Sequence, residues 1–436
     1  MSAQNFINRI KKKEVVIGVI GLGYAGLPLA IQFAEKGFRV VGLDLNQKRI
    51  QALKKGESYI EDIPSARLRG PIQKNLLLPS ENPQQLAQAD VILICVQTPL
   101  RKSKEPDISF IIRAIEEIPN PGEKERLIVL QSTTFPGTTE EFVRPYFEKH
   151  GRTVGKDFFL VFAPERIDPS NKKYPSNQIP KIVGGETAEC ARVGKFFFEQ
   201  VLKNVVVVSS SRAAEMVKLL ENTFRAVNIA LVNELALICH KMGLDVWEVI
   251  DAAATKPFGY MPFYPGPGLG GHCIPVDPHY LTWKAKIFKF NPRFIDLATV
   301  VNAQMPQEIV ARLAELLKKE GKNLKGAQIY VVGVAYKKNI SDYRESPALD
   351  VIHLLKKKGA RIEYYDPHVP QFILHDKKYV SKKPTTISLQ KQDAVVILTD
   401  HKKVDYRSLV AQAALVFDTR NATKGLSSKK GKLVRL

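Results

Sequence analysis

With 436 residues and 44% hydrophobic content, the chain is long enough for two or three domains, and no apolar run approaches the length of a membrane span. The opening segment MSAQNFINRIKKKE lacks the apolar stretch of a signal peptide, so a cytoplasmic protein is expected. A net charge of +21 admits nucleic acid as a partner. The lysines, however, fall in small clusters (11–13, 356–358, 377–378, 429–430) without interleaved aromatics, so the expectation is a solvated surface favouring an anionic substrate, with no nucleic-acid and no membrane partner.

Residues 15–20 form a short β-branched run that enters Gly21, Gly23 and Gly26; a helix rich in alanine and leucine follows and stops at Gly37. A second strand, 39–43, ends at Asp44. This spacing predicts a dinucleotide-binding βαβ unit: two glycines let the backbone turn and approach a pyrophosphate, the third lets helix and strand pack, and the acid accepts from the ribose hydroxyls. An acid at Asp44 repels a 2′-phosphate and so favours NAD over NADP, with Lys48 and Arg49 nearby pulling the other way. The cofactor set in this unit is Gly21, Gly23, Tyr24, Ala25, Gly26, Asp44 and Arg49.

Further strands at 90–96, 127–130 and 158–162 read as continuous apolar runs, as in a parallel sheet covered on both faces. They lead into Gln97–Thr98–Pro99, into QSTTFPGT (131–138) and into APERIDPSN. Thr98, Ser132, Thr133, Glu165 and Arg166 are thereby expected at one edge, where such sheets bind ligands, Ser132 in a loop or capping role. Residues 211–242 contain no Pro or Gly and stop at Gly243, predicting a helix of about thirty residues that connects domains. Lys218 and Asn222 share one of its faces, with Glu221 and Arg225 beside them. A stripe including Val227, Leu231 and Leu235 is expected to pack a homodimer. Asp245 and Glu248 predict a capping box, and Pro292 the first position of a helix kinked or broken at Pro306 and ended by Gly321.

The stretch 265–278, PGPGLGGHCIPVDP, is too rich in glycine and proline for helix or central strand and predicts a fixed loop able to approach a ligand. Cys273 lies between His272 and Asp277. It is either a nucleophile or a buried structural cysteine, and the loop favours the former. Cys95, Cys190 and Cys239 show no metal-site pairing, so neither disulfide nor zinc is expected. The last third restarts as α/β, with strands at 328–332, 361–365, 394–398 and 415–417 and a helix at 347–358. It lacks a glycine fingerprint, and Lys337, Arg344 and Arg420 beyond its strand ends suit a diphosphate and a sugar. The fold expected is therefore α/β: an N-terminal Rossmann domain (1–210), a central helical domain with a long connecting helix (211–321) and a C-terminal Rossmann-like domain (322–436).

The motifs GLGYAGLPLA, STTFPGTTEE, APER, EMVKLLENTFRAVNIALVNELA, PGPGLGGHCIPVDPHYL, GVAYKKNISDYRESP and DTRN, in this order over nearly the whole chain, resemble the UDP-sugar 6-dehydrogenase family. GESYIEDIPS and the 98–109 element resemble its UDP-N-acetylglucosamine members more than those acting on UDP-glucose or UDP-N-acetylmannosamine. Gln97 replaces the usual proline before Thr98, and Ser170 a usual glycine. The resemblance implies two successive NAD-dependent oxidations at C6, alcohol to aldehyde to acid, through a Cys273 thiohemiacetal and thioester, for surface polysaccharide precursors. It implies Lys218 and Asn222 as oxyanion stabilisers, Asp277 and Thr133 as proton handlers and Glu165 as activator of the hydrolytic water. It also implies a cofactor set that includes Thr98, Thr133 and Arg344, and a substrate set of Glu165, Arg166, Lys218, Asn222, Tyr264, Gly266, Gly270, Lys337 and Arg420. A two-electron hydroxyacid-type dehydrogenase would share the Rossmann unit without needing Cys273, and a nucleotide-sugar sensor could lose the nucleophile.

Overall fold

Val16–Ile20 is buried along almost its whole length and becomes β1, the strand on which the first sheet is centred. The computed structural model describes residues 2–60, 62–120, 122, 124–166, 178–271, 273–428 and 431–436. Asp168, Ser170, His272, Lys429 and Lys430 lie outside the described residues. Contacts gather into two compact units, Met1–Glu221 with His279–Lys289, and Asn222–Pro278 with Phe290–Leu436. The long helix belongs in part to each.

In the first unit the strands are β1, β2 (Arg39–Leu43), β3 (Leu77–Ser80), β4 (Val91–Ile94), β5 (Arg126–Leu130), β6 (Phe158–Phe162), β7 (Lys181–Gly185) and β8 (Val205–Val208). Their order is β3-β2-β1-β4-β5-β6-β7-β8. All neighbours pair in parallel except β6 and β7, which run antiparallel. The first six strands have the order of a dinucleotide-binding sheet, whose topological switch point falls between β1 and β4. Chain leaving β4, β5 and β6 therefore reaches one edge in succession, which places Thr98, Ser132, Thr133 and Glu165 along it. Ser132 spends its hydroxyl on the Val96 carbonyl at 2.7 Å, the loop role expected for it.

The second unit holds β9 (Gln328–Val332), β10 (Arg361–Tyr365), β13 (Ala394–Ile397), β14 (Leu415–Asp418) and β15 (Lys432–Arg435), with a hairpin of β11 (Gln371–Leu374) and β12 (Lys377–Val380) between β10 and β13. Its sheet runs β10-β9-β13-β14-β15, all parallel. Counted from β9 and leaving out the hairpin, this is the doubly wound order 2-1-3-4-5, with its switch point between β9 and β13.

The long helix spans Ser211–Met242, as its lack of helix breakers predicts, and Gly243 ends it with a left-handed φ of 70°. Asp245 caps the next helix, its carboxylate accepting from the Trp247 and Glu248 backbone N–H groups. The proline reading needs correction. Pro292 is the N-cap rather than the first helical residue, and Arg293–Lys319 runs through Pro306 as one helix. The tertiary setting holds that turn: Asn302, four residues before the proline, is buried, accepts from Asn233 Nδ2 at 2.9 Å and donates to the Ala226 carbonyl at 3.0 Å. The helix Asp277–Ile287, unmarked in the sequence pattern, begins directly after the cysteine loop.

Candidate active site

The nucleotide half is built by β1 and the helix Gly26–Glu35. Gly21 has φ 93°, and a Cβ on it would lie 2.7 Å from the Cys95 carbonyl oxygen; one on Gly26 would lie 1.9 Å from the Gly21 oxygen. Neither position can carry a side chain. A Cβ on Gly23 meets nothing within 4 Å, so this glycine is not demanded by packing and its free space is where a pyrophosphate can approach the helix N-terminus. At the end of β2, Asp44 accepts from Leu22 N at 2.9 Å and from Asn46 N at 2.8 Å, with Arg49 Nη1 at 3.3 Å. Both its carboxylate oxygens are thus held by donors at the end of β2, where the ribose of a dinucleotide would reach. These residues fit NAD: the glycines shape a cradle and Asp44 is aimed by backbone donors. Tyr24 is exposed and Ala25 half-buried at the same helix start.

Along the edge beyond β4 to β6, Thr98 is half-buried and its carbonyl accepts from Tyr280 Oη at 2.9 Å. Thr133 is half-buried on a loop whose Ser132, Thr134 and Thr138 are buried and hydrogen-bonded. Glu165 accepts from Arg166 N at 2.8 Å and from the buried Lys181 Nζ at 3.4 Å. The β6–β7 register pairs Val161 with Gly185 and Phe162 with Gly184, and continuing it sets Glu165 opposite Lys181. Arg166 is committed within the unit, with Nη2 on Glu221 at 2.5 Å and Nη1 on the Pro180 carbonyl at 2.6 Å. Cys95, buried beneath this edge, is pushed up to about 12 by burial and so stays a thiol.

Lys218 is only 8% exposed on the long helix, and among the described residues no carboxylate lies within 4 Å of its Nζ. A buried ammonium is costly unless its charge is met, so Lys218 is a candidate to meet an anionic or oxyanionic ligand. One turn further on, buried Asn222 donates through Nδ2 to Asp277 Oδ2 at 2.5 Å. Asp277 opens the helix Asp277–Ile287, and its N–H closes a turn on the Cys273 carbonyl at 2.8 Å. Cys273 is exposed, whereas Cys95, Cys190 and Cys239 are buried.

The glycines of the cysteine loop are closely packed. A Cβ on Gly270 would come within 2.8 Å of both Pro347 and Tyr336, one on Gly271 within 2.8 Å of the Tyr336 ring, and one on Gly266 within 2.4 Å of Arg420 Nη1. The loop thus lies flat against the chain leaving β9 and β14. Between them is a pocket at the β9–β13 switch point lined by Gly268, Tyr336, Lys337, Ser346, Thr399 and Arg420. Arg420 is aimed from one side by Asp400 at 3.5 Å. Tyr264 stands apart, its ring stacked 6.0 Å from Trp247 and its hydroxyl donating to Asp251 at 2.9 Å. Arg344 forks onto Asp342 at 2.7 and 2.9 Å. Sequence reasoning passed over Lys181, Tyr280, Ser346, Thr399 and Glu215. For Glu215 a signal existed, an acid three residues before Lys218 on the apolar face of the long helix.

Among the described residues no group of three His, Cys, Asp or Glu is arranged to hold a metal, and no helix is long and apolar enough to cross a membrane. A glycine-shaped cradle in one unit and, in the other, a pocket carrying Lys337 and Arg420 and a loop with an exposed thiol are what a dehydrogenase of a nucleotide-linked substrate would need. Residues 15–202 match the NAD binding domain of the UDP-glucose/GDP-mannose dehydrogenase family, 212–304 its central domain and 330–425 its UDP binding domain. The chain belongs to that family. It is 36% identical to the UDP-N-acetyl-D-glucosamine 6-dehydrogenase of Pseudomonas aeruginosa, over 82% of this chain and 84% of that one. It is also 36% identical to the UDP-N-acetyl-D-mannosamine dehydrogenase of Pyrococcus horikoshii, over 94% and 96%. The solved structure of the Pyrococcus horikoshii UDP-D-ManNAc dehydrogenase matches with a TM-score of 0.86 at 33% identity, covering 96% of this chain and 98% of that one. Equal identity to enzymes named for two sugars leaves the sugar to be decided by chemistry.

The pocket at the second switch point yields a direct expectation. If this pocket takes the diphosphate, Lys337→Ala and Arg420→Ala would each remove one charge-assisted contact, roughly 1.5 to 3 kcal/mol, and should raise the Michaelis constant for the UDP-sugar about tenfold or more. NAD binding, measured by protein fluorescence, should be unchanged; a matching loss of NAD affinity would mean the two Rossmann-like halves are assigned the wrong way round.

Proposed function

We propose that the chain oxidises the C6 hydroxyl of a UDP-N-acetylhexosamine, UDP-N-acetyl-D-glucosamine before UDP-N-acetylmannosamine or UDP-glucose, to the uronic acid. The reading is carried by Cys273, an exposed thiol one turn from an aspartate that already holds Asn222. A dehydrogenase that stops at the ketone or aldehyde has no use for a nucleophile there. Bound NAD supplies the hydride acceptor, once per oxidation, so two NAD and one water convert CH2OH to carboxylate. Asp277 takes the hydroxyl proton, Thr133 is a further proton handler, and Lys218 and Asn222 stabilise the oxyanion that forms. The Cys273 thiolate then adds to the aldehyde carbon, forming a C–S bond and a thiohemiacetal whose hydride can leave. That departure makes a thioester. Water activated by Glu165 adds to it, the C–S bond breaks, and the thiol is restored with the acid released.

The preference for the glucosamine epimer rests on GESYIEDIPS and the 98–109 element. Purified protein given UDP-glucose, UDP-N-acetylglucosamine and UDP-N-acetylmannosamine in turn should show its highest kcat/KM with the second. It should form two NADH for each sugar consumed. One NADH per sugar would replace this reading with a two-electron dehydrogenase. Self-association also follows from the long helix: Leu231 is 52% exposed and Phe224 45%, beside half-buried Val227 and Leu235, an apolar stripe that suits a second copy of the chain. Light scattering on the same sample should show a dimer or larger, and a monomer would rule it out.

A further inference from the structure

Glu215 is a fully buried carboxylate for which the proposed chemistry has no use. It sits on the long helix three residues before Lys218, and all its partners come from the loop that carries Thr133. Oε2 accepts from Gly137 N at 2.5 Å, and Oε1 accepts from Thr139 N at 2.9 Å and Thr139 Oγ1 at 2.7 Å. Among the described residues no cation lies within ion-pair distance of it. The loop is fixed at other points too: Thr134 and Thr138 bond to each other at 2.5 Å, and Phe135 packs on Trp283 at 4.8 Å. Gly137 has φ 104°, and a Cβ there would lie 2.3 Å from Glu141 Oε1, so the turn that aims its N–H at Glu215 demands glycine.

We propose that Glu215 is a positioning residue that fastens the Thr133 loop to the turn of the long helix just before Lys218, so that hydroxyl and ammonium keep one spacing through the reaction. The proposal rests on the roles given above to Thr133 and Lys218. An ionised carboxylate accepts all three bonds, whereas a protonated one must give up an acceptor site to its own hydrogen. Burial pushes Glu215 up to about 7, against the three hydrogen bonds that pull it down. The charged groups around it are Glu186, which adds like charge and lies 3.9 Å from Arg144, and the loop's Glu140 and Glu141, paired with Arg212 at 2.7 Å and Lys284 at 2.7 Å. The clamp therefore tightens as pH rises through neutrality.

The test is steady-state kinetics on the full chain with NAD and the best of the three UDP-sugars. Glu215→Gln keeps the shape but turns an NH2 toward the Gly137 N–H, and kcat should fall roughly 10- to 100-fold, as displacements far from the chemistry do, with KM for the sugar within about twofold. In the wild type kcat should rise with pH through about 7; Glu215→Gln should lack that limb. Thr139→Val removes one donor and leaves the charge, which raises the carboxylate pKa, so its limb should move to higher pH. Wild-type kcat with an unaltered pH profile in Glu215→Gln would overturn the proposal. Should that variant not fold, an unshifted limb in Thr139→Val does so instead. Lys218→Ala and Thr133→Ala separate the two layers: if both retain wild-type turnover, the site reading falls and the clamp with it. If they lose it while Glu215→Gln does not, the clamp alone falls.

Discussion

Cys273→Ser should lose almost all turnover with a UDP-sugar and NAD while still reducing the corresponding 6-aldehyde with NADH. The loop should tolerate serine, because Cys273 is exposed and its carbonyl accepts from the Asp277 N–H in the turn beneath it. What disappears is the reactivity of a thiolate: a hydroxyl at this position is a far weaker nucleophile, and its ester resists water. A loss of at least about a thousandfold, roughly 4 kcal/mol of transition-state stabilisation, is expected in overall turnover. In the proposed mechanism aldehyde reduction reverses the first oxidation and draws only on Lys218, Asn222, Asp277 and Thr133, so it should persist. When deacylation is slowed, as Glu165→Gln should do, wild-type Cys273 should carry an adduct visible as a mass shift on its peptide. Uronic acid formed by Cys273→Ser at the wild-type rate would end the covalent mechanism.

Gly26→Ala and Gly23→Ala should fail in different ways, and the contrast tests the nucleotide cradle. At Gly26 the new methyl would sit 1.9 Å from the Gly21 oxygen and 3.1 Å from Cys95 Cβ. Backbone must move to admit it, at a cost of about 2 kcal/mol or more, so the melting temperature should fall even without ligand and NAD affinity should drop at least about thirtyfold. At Gly23 the methyl meets no protein atom. Melting of the free protein should then be unchanged while NAD affinity falls, because the methyl occupies space the pyrophosphate needs. A Gly23→Ala protein that binds NAD normally by calorimetry would move the pyrophosphate elsewhere.

The parts of the fold legible in the sequence were those governed by neighbours along the chain. Arg39–Leu43, Phe158–Phe162, Gln328–Val332 and Arg361–Tyr365 fall where short apolar runs and flanking turns place them, and Gly243 marks the end of the long helix through its own backbone angle. Short strands escaped notice for the same reason. β3, with a proline in LLPS, is a strand only because it pairs with β2 at the sheet edge, and Lys181–Gly185 is one because it pairs with β6 and β8. At Pro306 the helix is not broken, and Asn302 one turn before it is held by Asn233 and the Ala226 carbonyl, contacts from distant sequence.

The site divides along the same line. Gly21, Gly26, Asp44, Cys273 and Asp277 stand in short motifs whose spacing alone implies a turn, a cradle or a reactive loop, so the sequence by itself determined the cofactor class and the candidate nucleophile. The tertiary structure decided the rest: that Lys218 is buried with no carboxylate within ion-pair distance among the described residues, that a side chain at Gly270 or Gly271 would meet Tyr336 or Pro347, and that Glu215 is held by donors 76 and 78 residues away. Burial, the absence of a partner and long-range hydrogen bonds depend on which segments pack together. That packing is set by the summed burial of both units' cores, and no local pattern of residues encodes it.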